Sequence, residues 1–138
     1  MKTFELTPKM VTMGGVFYPT GYAVLLFAEA DQARQAGEAL EGAGFAGDSV
    51  MLLPPEAILR DIGKVDGDSG AGLPSVGTEG HTVDMYIAFA RQGHHGVMVH
   101  APSDEDTQRV LSAVRPLSFT YGQKYHMLAM EDLESSAS

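Results

Sequence analysis

The amino-acid sequence predicts an α+β fold, a ferredoxin-like βαββαβ sandwich. Residues 22–53 run apolar strand, helix, apolar strand, and residues 96–130 repeat that order. Two βαβ units in a chain of 138 residues are the pattern of a split βαβ sheet with its helices on one face. Neither half can bury its strands alone, so residues 1–138 are expected to form a single domain. The expected strand order is 4-1-3-2, with the first and third strands as parallel neighbours.

Each element follows from local pattern. Residues 10–18 suit a small hairpin turning at Gly14-Gly15, and Pro19-Thr20-Gly21 then interrupts the chain. The first strand is the apolar run at 22–28. The first helix, over 31–43, sets Ala33, Ala36, Gly37 and Leu40 in one narrow stripe of small residues, suited to close packing on a sheet. Gly42 or Gly44 stops it, and Phe45 folds back onto the core. The second strand occupies 49–53 and the third 96–101. The last helix starts at Ser103, an N-cap with Asp106 three residues on, and carries Thr107, Val110, Leu111 and Val114 at the same spacing as the first. The fourth strand is placed at 125–130, and residues 131–138 read as a flexible acidic tail.

Between the halves lies an insertion, 54–95, longer than a hairpin requires. It holds a short helix from Pro55 with Ile58, Leu59 and Ile62 facing inward, and a second helix over 78–92 with Val83, Tyr86, Ile87 and Ala90 in register. The stretch 63–77 between them is rich in turn formers and reads as flexible. The strands are apolar at odd and even positions alike, so both sheet faces should be buried. One face takes the two repeat helices. For the other, Leu25, Phe27, Met51, Met98, Leu128 and Met130 are expected to meet a second copy of the chain, giving a homodimer, with the insertion covering part of it.

Composition narrows the chemistry. The absence of cysteine excludes disulfides, thiolate catalysis and sulfur-ligated metals. Residues 1–8 hold no signal-peptide apolar run, and the longest apolar run is far short of the roughly 20 residues that span a bilayer. No membrane role and a cytoplasmic location are therefore expected. A net charge of −9 repels polyanions, and the third strand has no aromatic, lysine or arginine to read bases, so nucleic-acid binding is not expected.

Five histidines, His81, His94, His95, His100 and His126, invite a metal reading that their spacing opposes. His94 and His100 on one strand lie on the order of 20 Å apart, and His126 is separated from His100 by the first strand. No metal and no cofactor are expected. Asp66-Gly67-Asp68-Ser69-Gly70 resembles a calcium loop but has Gly70 in place of the third ligand. His100 is the only polar side chain inside the third strand, which makes it either a buried, hydrogen-bonded histidine or a proton carrier in a cavity over the second sheet face. Tyr18 and Tyr22, in the aromatic cluster 17–22, either cap the core or line a site for a small apolar ligand with His100.

The run from Tyr22 to Arg34 followed by Ala39-Leu-Glu-Gly-Ala-Gly-Phe45, with the closing unit 96–130, resembles the heat-induced general-stress domain family. The resemblance covers both halves but not the insertion. It implies a small, cytoplasmic, stress-linked protein and no catalytic residues to carry over. The leading expectation is a non-catalytic, self-associating module that binds a small ligand or protein partner. The alternative is a small cofactor-independent enzyme of the dimeric α/β-barrel type using His100.

Overall fold

The apolar runs become one mixed sheet. In the computed structural model, which describes residues 1–11, 16–63, 77–127 and 129–135, the strands are β1 (Lys2–Thr3), β2 (Tyr22–Phe27), β3 (Val50–Leu53), β4 (His95–His100), β5 (Tyr121–Tyr125) and β6 (Met130–Leu133). They lie in the order β1-β3-β4-β2-β5-β6. The helices are α1 (Ala30–Gly42), α2 (Pro55–Ala57, continuing as a π-helical turn over Ile58–Ile62), α3 (Gly77–Arg91) and α4 (Asp104–Ala113). Two of them, α2 and α3, occupy the insertion between β3 and β4, as expected.

The neighbour order among β5, β2, β4 and β3 is the expected one, but one direction is not. β2 and β4 are antiparallel neighbours, with Tyr22 opposite His100 and Phe27 opposite His95. β3 also runs antiparallel to β4. The two strands of each crossover are therefore parallel but not adjacent, β2 and β3 being separated by β4, and β4 and β5 by β2. A βαβ crossover makes its own two strands parallel, and the next reversal of the chain sets the third against both. β1 adds a short parallel strand beyond β3.

The fourth strand is displaced from its expected place. Residues 125–130 do not form one strand: Tyr125 ends β5 and Met130 opens β6, and the two strands pair as an antiparallel hairpin from Gly122–Leu133 to Tyr125–Met130. Glu131, Asp132 and Leu133 are thus in the sheet rather than in a loose tail, and Leu133 is buried. Polar Gln123 and Lys124 break the apolar pattern of this strand in the sequence, yet they are only 2% and 0% exposed.

The faces sort by strand register. Ala23, Leu25, Phe27, Val50, Val97 and Val99 pack against Ala33, Ala36 and Leu40 of α1, Val110 of α4 and Val114 at its C-cap. Val24, Leu26, Met51, Leu53, Met98 and Tyr125 form the other face, under Ile58 and Ile62, under Val83, Tyr86 and Ala90 of α3, and under Phe4, Met10, Phe17 and Tyr18. The apolar set assigned to a second copy therefore mixes the two faces. Leu25 and Phe27 lie under α1 and α4, whereas Met51 and Met98 lie under the insertion; Leu128 falls outside the described residues. Val24, Leu26 and Met98 are fully buried by the chain's own segments, so no bare sheet face calls for a partner. Leu59, expected to face inward, is turned out and exposed, because the π-helical turn keeps Ile58 and Ile62 as the inward pair.

Local signals hold where they are local. Gly44 takes φ +104°, which a Cβ would strain, and Phe45 N–H closes back on Leu40 O at 3.1 Å. Val11 and Phe17 form an antiparallel bridge at the base of the expected hairpin; its turn at Gly14-Gly15 lies outside the described residues. At α4, Ser103 Oγ accepts from Asp106 N–H at 3.0 Å, and Ser103 N–H donates to Asp106 Oδ2 at 3.4 Å. The hydrogen bond from Ser103 holds the Asp106 carboxyl below its ordinary value. That contribution is present above the ordinary carboxylate range and is lost as pH falls through the lowered value. Ser103→Ala is expected to lower the unfolding free energy by about 1 kcal/mol in urea titration near neutral pH. An unchanged midpoint would show that the cap contributes nothing to α4.

Candidate functional site

The residues singled out in the sequence separate in space. Tyr18 belongs to the core: its ring meets Tyr125 edge-on at 4.9 Å, and its hydroxyl donates to His126 O at 2.6 Å. It clamps the β5–β6 hairpin. Tyr22 and His100 do come together, facing each other across β2 and β4 with ring centroids 5.0 Å apart. Gly21, at φ +85°, passes close beneath, where an added Cβ would sit 3.4 Å from His100 Nε2. His100 is exposed rather than buried. It lies on the expected face but at the open end of β4, where the strand leaves the cover of α3.

The other histidines also go separate ways. His81 is exposed on α3, and buried His94 stacks on Phe89 at 4.9 Å. His95 Nδ1 lies 3.1 Å from Gly93 O, and His126 Nε2 lies 2.9 Å from Glu131 Oε1. Among the described residues no three histidine, aspartate or glutamate side chains gather as a metal site. The stretch Asp66–Gly70 falls outside the described residues. No helix among the described residues is long and apolar enough to cross a membrane.

The polar chemistry concentrates instead on the β5–β6 hairpin, which the sequence pattern overlooked. Consecutive strand residues point to opposite faces, so Gln123 and Lys124 reach into different layers. Lys124, fully buried on the α1–α4 side, donates from Nζ to Thr107 Oγ1 at 2.8 Å, and Thr107 Oγ1 in turn donates to Ser103 O at 3.1 Å. A polar cleft of about 410 Å³ lies beside this chain, lined by Asp104, Thr107, Gln108, His126 and Glu131.

On the other face, Gln123 Nε2 donates to Asp132 Oδ1 at 2.5 Å and to Tyr121 Oη at 3.1 Å. The partner fixes the amide's orientation, since an ionised carboxylate only accepts. Gln123 Oε1 is thereby left buried and without a partner among the described residues. Gln123 lines an open cleft of about 350 Å³ bordered by His81 and Thr82 of α3, with Tyr121, Asp132 and Glu134 around it. Behind it Tyr86 Oη and Tyr125 Oη lie 2.7 Å apart. Burial pushes the Tyr86 phenol well above its ordinary value, and the adjoining Tyr125 and Tyr121 add to the effect. The signal for this site was the alternation Tyr121, Gln123, Tyr125: a polar residue held between two aromatics on one face.

A third cleft, smaller and mainly apolar, of about 180 Å³, opens at the opposite edge, between Ala33 of α1 and Leu52, Leu53 and Gly96 of the sheet. It is lined by none of Tyr18, Tyr22 and His100. In comparisons with known proteins, no family model, no curated protein and no solved structure matches the chain.

Proposed function

We propose that the chain is a ferredoxin-like βαββαβ module that binds, without transforming it, a small hydrogen-bonding ligand between α3 and the β5–β6 hairpin. The neighbour order β5-β2-β4-β3, with α1 and α4 on one face, supports the fold reading. The observation that carries the binding reading is the unpartnered Gln123 Oε1. A buried amide oxygen left without a donor costs about 1–3 kcal/mol, and a ligand N–H or O–H would recover it by displacing the groups that cover the amide. The resemblance of residues 22–45 to heat-induced general-stress domains is compatible with this reading, since those residues build β2 and α1 and leave the pocket to the rest of the chain. Self-association would have to use a surface other than the covered sheet face, such as the exposed Met127 at the hairpin tip.

Titration of the labelled protein with a library of small polar fragments, followed by amide NMR, tests the proposal. The Gln123 side-chain NH₂ and the backbone amides of Thr82 and Tyr121 are expected to shift together and saturably. Shifts confined to the surroundings of Tyr22 and His100 would instead favour the His100 reading. An unmoved Gln123 across the library would refute a ligand site here.

A further inference from the structure

The small cleft where the first turn of α1 meets the sheet joins two unlike surfaces. Its walls are apolar: Ala30 and Ala33 of α1, Leu52 and Leu53 of β3, and Pro54. The titratable side chains that line it are both bases, Arg34 and His95, and no aspartate or glutamate is among them. The two clefts beside the β5–β6 hairpin differ in this respect, since Asp132 and Glu134 line one and Asp104 and Glu131 the other. In a chain of net charge −9, the apolar cleft is thus the one whose lining favours an anion.

Arg34 has donors to offer there. It bonds Asp31 through Nη2 at 2.7 Å, and that aspartate does not line the cleft. The two side chains are 55% and 71% exposed, so the pair is weak, and it engages only one edge of a guanidinium that carries five N–H donors. His95 stands at the rim with Nδ1 3.1 Å from Gly93 O. We infer that the cleft takes a small aromatic monocarboxylate, its ring between α1 and β3 and its carboxylate on Arg34. A space of about 180 Å³ suits one ring, since an apolar cavity of about 150 Å³ holds benzene. Burial of the ring supplies affinity, and the planar guanidinium, which matches a carboxylate edge to edge, supplies direction. The site shares no residue with the cleft at Gln123 and stands apart from the reading given for it.

Three probes at millimolar concentration and equal ionic strength test the inference by amide NMR and calorimetric titration: benzoate, its neutral isostere benzamide, and the cation benzamidinium. Benzoate is expected to shift the backbone amides of Ala33, Leu53 and Gly96 saturably. It should bind about fivefold more tightly than benzamide, with benzamidinium weakest. Arg34→Gln, at an exposed helical position, is expected to bring benzoate down to the level of benzamide and to leave benzamide unchanged. Asp31→Asn, which frees the guanidinium, is expected to tighten benzoate about twofold. The dispersion of the amide spectrum verifies that both variants fold. Benzamide binding as tightly as benzoate, benzamidinium binding more tightly than either, or full benzoate affinity in Arg34→Gln would overturn the carboxylate site. Amides of Ala33, Leu53 and Gly96 that none of the three probes moves would overturn it as well, whatever Gln123 does in the fragment survey.

Discussion

Phe17→Ala is expected to cost about 3–5 kcal/mol of unfolding free energy, as for a fully buried phenylalanine cut back to a cavity. Phe17 has no exposed surface, although it lies outside the main strands and helices. Its ring meets Phe4 at 6.1 Å, Tyr86 at 6.3 Å and Tyr125 at 6.1 Å, each edge-on. It thus ties the N-terminal segment to α3 and to the hairpin at a single point over the second sheet face. Urea unfolding should show the loss as a lower midpoint with little change in slope. Light scattering should then show the variant associating, because loosening this cover bares Val24, Leu26 and Met98. Met127→Ala, at a position 80% exposed, is the matched control and should stay within about 0.5 kcal/mol of the parent. A loss of under about 1 kcal/mol for Phe17→Ala would mean that the N-terminal segment does not close the core.

The second large effect is with alkali. Tyr86 is buried against the hydroxyl of Tyr125, and burial raises its phenol well above the ordinary value of 10.0. A raised group contributes stability that is fully present below its unfolded value and is lost as pH climbs towards the folded one. Above 10.0 the unfolded chain releases the Tyr86 proton while the folded chain retains it. Unfolding midpoints are therefore expected to hold below the ordinary phenol value of 10.0 and to drop steeply as pH rises above it. Tyr86→Phe keeps the ring in place and removes the hydroxyl. It should cost about 1 kcal/mol near neutral pH, for the lost 2.7 Å bond to Tyr125, and should flatten the alkaline fall. A general rise in negative charge would act on both proteins equally, so parallel curves would show that Tyr86 is not the group responsible.

What could be read from the sequence was what is decided within a few residues. The α1 stripe Ala33, Ala36, Gly37 and Leu40 is buried as spaced, and the Ser103–Asp106 capping box forms as written. The relative direction of β2 and β4, and the face on which Leu25 or Met98 falls, are set by pairing between distant segments. Alternation within one strand carries no information on the register of the next. The hairpin was hidden for a different reason: polar Gln123 and Lys124 are buried by partners on α4 and β6, and nothing adjacent to them in the chain announces those partners. His100 shows the converse. Its place in an apolar strand suggested burial, but the strand outruns its cover by one residue.

The outermost strands of the sheet also govern how it behaves in company. An edge strand offers unpaired backbone N–H and C=O groups to any passing extended chain. Here one border is β1, two exposed residues long and bearing Lys2, too short a template for another strand to follow. The opposite border is β6, whose exposed Glu131 and Asp132 point to the two faces of the sheet and bond His126 and Gln123. A strand added there would set its own side chains beside two carboxylates, and a second copy would bring two more. Shortness at one border and negative charge at the other thus oppose the addition of a further strand.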